Sequence, residues 1–411
     1  MTNKDEVPSE EAIQIFEQVI DLDSPSERER LLQELCGDRT DLRATVEELL
    51  ENHRNNDPFQ DFTPKHPVHH FIGEQVGDNV GRYKLVRVIG EGGWGVVYRA
   101  EQDGPLHLQV ALKVVKPGMD TRQVLRRFES ERQALARLEH SSIARVFDAG
   151  ATSAGRPYFV MEWVHGKTIT DYADSHNLTI SQRLDLFVKV CRAVQHAHEK
   201  GIIHRDIKPS NILVAEENGE PLPKVIDFGI AKATGEDDST ETTFATRTGQ
   251  FVGTPAYMSP EQADGIKIDN RTDIYSLGVL LCELLVGDIP FAFDGHGKYE
   301  QLRIIIQIKP QKPSVKLQDL EESEIIGIAQ LRQTKPKQLL KTLEDGLDRI
   351  VMKCLEKTPD RRYETAESLA NDIQLCQKHL TDNRLDPTAL GTESAQREQS
   401  AKQKIICKLL G

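Results

Sequence analysis

Three oxygen-bearing side chains, Asp206, Asn211 and Asp227, stand within one short stretch of the chain. His204-Arg205-Asp206-Ile207-Lys208-Pro209-Ser210-Asn211 follows an apolar helical run, and Asp227-Phe228-Gly229 sits between two apolar flanks. Magnesium takes hard oxygen ligands and few protein groups, which leaves room for phosphates. Asn211 and Asp227 fit that role, and Asp206 is then left to accept a hydroxyl proton. Upstream lies a glycine-rich segment, Gly90-Glu91-Gly92-Gly93-Trp94-Gly95-Val96-Val97. In a dinucleotide-binding fold such a segment opens a helix. Here a strand-like run precedes it and another follows, so that reading fails. Between antiparallel strands the same glycines let backbone lie close over phosphates, because no Cβ intervenes. Val110-Ala111-Leu112-Lys113 falls on the next strand, where alternation puts Ala111 and Lys113 on one face. A buried lysine needs a partner. Glu131 shares an apolar helical stripe with Val124, Phe128, Leu135 and Leu138, whereas Glu129 has mostly polar neighbours. Lys113 is therefore expected to pair with Glu131.

The elements that must hold these groups change period along the chain. Residues 83–89, 95–101 and 108–116 are short, rich in Val, Leu and Tyr, and read as strands, with Asp103-Gly104-Pro105 as a turn. A helix is expected near 120–138, and the chain is mostly helical after Gly166. Leu184, Val188, Cys191 and Val194 line one face of a helix that stops at Gly201. Residues 1–57 read as an acidic helical module, in which Ser24-Pro25-Ser26-Glu27 forms a capping box. Residues 58–81 hold Pro58, Pro64 and Pro67 and read as a linker. The tail 381–411 is polar. The mixed charge of 292–340 reads as a solvated insertion.

Composition excludes several function classes. The 411 residues carry 52 Lys plus Arg against 65 Asp plus Glu, a net charge of −13, opposite to that of a general nucleic-acid binder. Residues 1–60 alone hold 16 acidic and 6 basic side chains, so the acid is concentrated there. The most apolar run, Leu277-Gly-Val-Leu-Leu-Cys282, stops at Glu283 and reads as a buried helix, not a membrane span. MTNKDEVPSEE lacks the basic and apolar regions of a secretory signal. Six scattered cysteines form no CxxC and read as reduced thiols, so a cytoplasmic location is expected.

Taken in order, the motifs resemble those of the eukaryotic-like protein kinases, especially the bacterial serine/threonine kinases. Ser259-Pro-Glu261, Asp273-Ile-Tyr-Ser-Leu-Gly and Pro359-Asp-Arg-Arg362 extend the set, which covers residues 82–380. The resemblance implies an α+β, bilobal fold, with a small β-rich lobe over 82–165 and a larger helical lobe over 166–380. It implies ATP and Mg²⁺ as cofactors, with Asn211 and Asp227 on the metal. The phosphate loop would comprise Gly90, Glu91, Gly92, Gly93, Trp94 and Gly95. Ile89, Val97, Ala111 and Leu213 would sandwich adenine. Met161 would guard the pocket, and backbone groups of Glu162 and Val164 would read the adenine edge. Lys113 would contact phosphates and Glu131 would orient it. Asp206 would be the base, Lys208 would steady the transferring phosphate, and Arg362 would pair structurally with Glu261. Lys208 and Thr254 accompany Ser/Thr preference in that family. Leu112, Ile207 and Ser259 depart from its pattern only by small swaps. Protein substrates are implied, and Thr246 and Thr248 are the expected autophosphorylation sites, used in trans within a homodimer. Two further readings stay open: a pseudokinase-like scaffold, and an N-terminal module that serves as an interaction domain.

Overall fold

The computed structural model describes residues 15, 25–37, 39, 42–43, 45–46, 74–92, 95–102, 108–116, 138–228, 255–293 and 295–385. Near the start lies helix α1 (Pro25–Cys36). Its Leu32 and Cys36 are buried with Ile15 and Val46 in a small apolar cluster.

Strands β1 (Asn79–Val80), β2 (Tyr83–Gly92), β3 (Gly95–Gln102), β4 (Leu108–Val115), β5 (Val146–Ala151) and β6 (Pro157–Glu162) form one antiparallel sheet. Its order is β1-β2-β3-β4-β6-β5. Alternation separates its two faces. Tyr83, Leu85, Tyr98, Ala100, Val110, Leu112, Val114 and Val160 build a core on one side. Ala111, Phe159 and Met161 face the other way and join the core of the helical lobe. Gly95 is required where β3 meets β4, because a Cβ there would collide with the Val114 carbonyl oxygen. The end of the expected linker packs on this sheet. Gly77 donates its N–H to the Leu85 carbonyl at 2.8 Å, Tyr98 Oη donates to the Glu74 carbonyl at 2.6 Å, and Arg156 pairs with Glu74.

Past Glu162 come β7 (Lys167–Thr168), α2 (Ile169–Ser175), α3 (Ile180–Glu199), β8 (Ile212–Glu217) and β9 (Glu220–Val225). Then follow α4 (Pro260–Ala263), α5 (Arg271–Val286), α6 (Lys298–Gln307), α7 (Pro313–Gln318), α8 (Glu322–Leu331), α9 (Pro336–Thr342), α10 (Asp348–Cys354) and α11 (Ala366–Leu385). Thr179 and Gln182 cap α3 reciprocally, and Leu184, Phe187, Val188, Cys191 and Val194 form its buried face. Helix α5 is buried almost all round, from Thr272 to Val286. Such a helix belongs at the centre of a core. Gly278 lets α10 approach it, since a Cβ would strike the Cβ of Cys354. At its C-terminus Arg183 Nη1 donates to the Leu284 carbonyl at 3.2 Å and Arg332 Nε to the Leu285 carbonyl at 2.5 Å. These cations meet the negative end of the helix.

The expectation of a solvated insertion over 292–340 is corrected. Ile305, Leu317, Ala329 and Leu339 from four successive helices are buried at 0–1% exposure. Each helix is short, six to ten residues, so its few inward residues show little period in the sequence.

The expected pairing of Arg362 with Glu261 is present and bidentate, at 2.6 and 2.7 Å. Thr272 Oγ1 also donates to this carboxylate at 2.9 Å. Burial alone would push Glu261 up, but the guanidinium holds its carboxyl below the ordinary value. Arg362→Met strands a buried carboxylate. It is expected to cost about 3–5 kcal/mol of unfolding free energy, read as a lower urea midpoint at unchanged slope. A midpoint equal to wild type would contradict that role.

Candidate active site

Lys113 leaves β4 between Val97 of β3 and Phe159 of β6. Its Nζ lies 2.8 Å from Asp227 Oδ2 across the cleft between the lobes. The expected partner, Glu131, lies outside the described residues, as do Gly93, Trp94, Thr246 and Thr248. Asp227 follows β9 with φ of +59°, a left-handed backbone that favours glycine. Its Oδ1 is buried without a hydrogen-bond partner. A carboxylate oxygen left so is costly unless a cation meets it. Asn211 stands opposite in a single helical turn, Pro209–Asn211. Its Nδ2 donates to the Asp206 carbonyl at 2.8 Å and to Asp206 Oδ2 at 3.0 Å. That turns the amide nitrogen to Asp206 and leaves the amide oxygen as the side suited to a cation. The donor set, one carboxylate and one amide oxygen, suits Mg²⁺ with phosphate and water completing it. Among the described residues no group of three His, Cys, Asp or Glu side chains could hold a metal.

Lys208 Nζ lies 2.9 Å from Asp206 Oδ2. One carboxylate oxygen thus meets both an ammonium and an amide, which fixes its direction. Buried Ile207 anchors the loop between them. The Ile226 N–H donates to the Asn211 carbonyl at 2.9 Å, joining this loop to the Asp227 strand.

His204 is fully buried. Its Nδ1 accepts the Asp206 N–H at 3.3 Å, so Nε2 carries the proton and donates to the Ile226 carbonyl at 3.0 Å. Burial pushes this imidazole below its ordinary value and keeps it neutral. Arg205 has φ of +64°. Its N–H donates to Asp273 Oδ1 at 2.8 Å, and its carbonyl accepts Gln262 Nε2 at 2.9 Å. Asp273 Oδ2 accepts the His204 N–H at 2.8 Å and pairs with His198 Nε2 at 2.7 Å. Burial would raise Asp273, but the His198 bond and charge hold it below the ordinary carboxylate value. The sequence reading missed His198 and Gln262 and took Asp273 only as part of a buried helix.

Ile89 and Val97, both half-buried, pack against the cluster that contains buried Ala111 and Met161. Val164 is buried, and Leu213 stands half-buried on β8. Gly90 pairs with Val97, and Gly92 with Gly95, in the β2–β3 ladder, where Glu91 is exposed. The Glu162 N–H already donates to the Arg145 carbonyl at 2.8 Å, so it is not an adenine donor.

Two acid-sensitive windows follow. An unfolded histidine takes its proton near pH 6.5. Folded His204 resists it, so its contribution to stability is full above that pH and is lost as pH falls below it. Asp273 is depressed, so its contribution is present above its unfolded value and is lost as pH falls through the folded one. His204→Phe is expected to flatten the loss of stability between about pH 6.5 and 5 by up to one proton, about 1.4 kcal/mol per pH unit. His140, held down by burial and by His196, leaves a residual slope. Unfolding midpoints measured across pH check this, and an unchanged slope would count against a neutral His204.

The protein kinase domain family model matches residues 83–373. A probable serine/threonine-protein kinase, CPE1738, of Clostridium perfringens is 35% identical over 75% of this chain and 39% of its own. The serine/threonine-protein kinase PknB of Mycobacterium leprae is 37% identical over 71% of this chain and 42% of its own. The chain thus spans about two fifths of the length of the curated relatives it matches. The crystal structure of the Mycobacterium tuberculosis PknI kinase domain (C20A_R136A double mutant) shares the fold. The TM-score is 0.53 and the identity 23%, over 74% of this chain and 99% of that one. Among the described residues no helix is long and apolar enough to cross a membrane. With the kinase motifs in family order and both lobes in place around one cleft, the chain belongs to the protein kinase family.

Proposed function

We propose that the chain is a serine/threonine protein kinase that moves the γ-phosphoryl group of ATP to hydroxyls of protein substrates. The observation that carries this reading is the convergence of Lys113, Asp206, Lys208, Asn211 and Asp227 on one cleft. Asp206 accepts the hydroxyl proton as the new O–P bond forms and the bond to the ADP oxygen breaks. Lys208, held beside Asp206, steadies the transferring group, and Lys113 meets the phosphates. Bound Mg²⁺, held by Asn211 and Asp227, would neutralise phosphate charge. Positioning and charge stabilisation do most of the work. A scaffold without chemistry would not need all of these groups. Lys208 and the names of the relatives support the Ser/Thr preference.

The reading includes autophosphorylation at Thr246 or Thr248, in trans within a homodimer. Arg205, next to the base, supplies guanidinium chemistry for the added phosphate. It also includes a cytoplasmic signalling role, with residues 1–57 as an interaction module.

Lys113→Met, Asp206→Asn and Asp227→Ala are each expected to end radiolabel transfer while the protein stays folded. Loss of the base alone removes about 10²–10⁴-fold, and a double variant should resemble a single one. Robust transfer by purified Asp206→Asn protein would sink the mechanism. Mass spectrometry after incubation with MgATP is expected to find phosphate at Thr246 or Thr248 in wild type and not in Asp206→Asn. A Thr246→Ala/Thr248→Ala variant with full activity would remove that switch.

A further inference from the structure

Lys224 is a charge that the proposed chemistry does not use, yet the residue is only 8% exposed. It stands on β9 opposite Leu213, three residues before Asp227. Its ammonium lies 2.8 Å from Glu162 Oε1 and 3.4 Å from Glu217 Oε1. Glu162 ends β6, where the chain leaves the sheet for the helical lobe. Its Oε2 accepts the Arg145 N–H at 3.2 Å, and its own N–H donates to the Arg145 carbonyl. Arg145 continues a segment that β9 also grips. The Ala144 N–H donates to the Val225 carbonyl at 3.0 Å, and the Val225 N–H to the Ser142 carbonyl at 2.9 Å.

Glu162 and Lys224 therefore close a ring through β6, residues 142–145 and β9. One side of the ring is the wall of the nucleotide pocket at Met161 and Glu162. Another, two residues past Val225, is Asp227. Of the two carboxylates on Lys224, Glu217 is half exposed and screened, whereas Glu162 is nearer and its side chain is 25% exposed. The bond to Glu162 dominates.

We infer that Lys224 is a positioning residue. Through Glu162 it holds the adenine end of the cleft in register with the strand that delivers Asp227 to the phosphates. This rests on the kinase reading above. Loss of the ammonium leaves Glu162 and Glu217 as two carboxylates without the cation between them, which loosens that wall. Asp206, Lys208 and Asn211 hold one another without Lys224, so binding changes more than turnover.

The test uses the full chain with Lys224→Gln, Lys224→Arg, Glu162→Gln and the Glu162→Gln/Lys224→Gln double variant. MgADP affinity is measured by calorimetry, and KM for ATP and kcat by steady-state transfer. Lys224→Gln is expected to weaken MgADP about tenfold and to raise KM similarly, with kcat within about threefold of wild type. Lys224→Arg restores affinity to within about threefold of wild type, and the double variant binds no more weakly than the worse single one. If Lys224→Gln does not fold, Glu162→Gln carries the same expected tenfold loss, since it removes the charge of the same pair and leaves one oxygen where Lys224 and the Arg145 N–H need two. Unchanged MgADP affinity in the variants would overturn the inference. So would additive losses in the double variant, or an equal fall in kcat without rescue by arginine. Wild-type protein that binds no MgADP would overturn the kinase reading itself, a result distinct from wild-type binding with unaltered variants.

Discussion

Asp273 sits in the first turn of α5 with no exposed surface, its two oxygens turned to the backbone N–H groups of His204 and Arg205 and to the His198 ring. A buried carboxylate is tolerated when such donors surround it. Here two donors are main-chain groups of one loop, and the φ of +64° at Arg205 belongs to the turn that presents both. That backbone is strained for a residue with a side chain. The carboxylate stabilises it, and the next residue is Asp206. The direction of the proposed base thus depends on a charge outside the proposed reacting groups. From His204 the dependence continues through the Ile226 carbonyl to Asp227, whose backbone is also left-handed. One strained residue, Arg205, precedes the proposed base and the other, Asp227, is the candidate metal ligand, and one buried network holds them both.

The network needs a rigid base. Helix α5 supplies it because it is buried on nearly every side and is clamped at both ends. Near its start, Thr272 joins the Glu261–Arg362 pair. At its end Arg183 and Arg332 take its last carbonyls, and Asp174 lies 2.7 Å and 3.7 Å from them. The sheet contributes differently: it brings Lys113 across the cleft and leaves the pocket wall to Ala111, Met161 and Val97. The proposed site lies where these two bodies meet, joined by ion pairs at Lys113–Asp227 and Lys224–Glu162.

The groups proposed to act were visible in the sequence because each sits in a compact local pattern. Asp206, Lys208 and Asn211 lie within six residues, and the strand period alone placed Lys113 beside Ala111. The groups that hold them were not. His204 and Asp273 are 69 residues apart, and an aspartate in the first turn of an apolar helix also suits the helix dipole without any further partner. The helices of 292–340 were misread because each contributes only a few buried side chains. The strap at 74–80 was read as linker because its anchors, Arg156 and Tyr98, are distant in sequence.

The most direct measurement of this dependence is phosphoryl transfer by Asp273→Asn protein alongside its MgADP affinity. The substitution keeps shape and size but replaces one acceptor with an amide that must face an N–H donor. The account predicts a folded protein that binds MgADP within about threefold of wild type and transfers phosphate at least about 10²-fold more slowly, as expected when a positioned base loses its direction. Wild-type transfer by folded Asp273→Asn protein would contradict it.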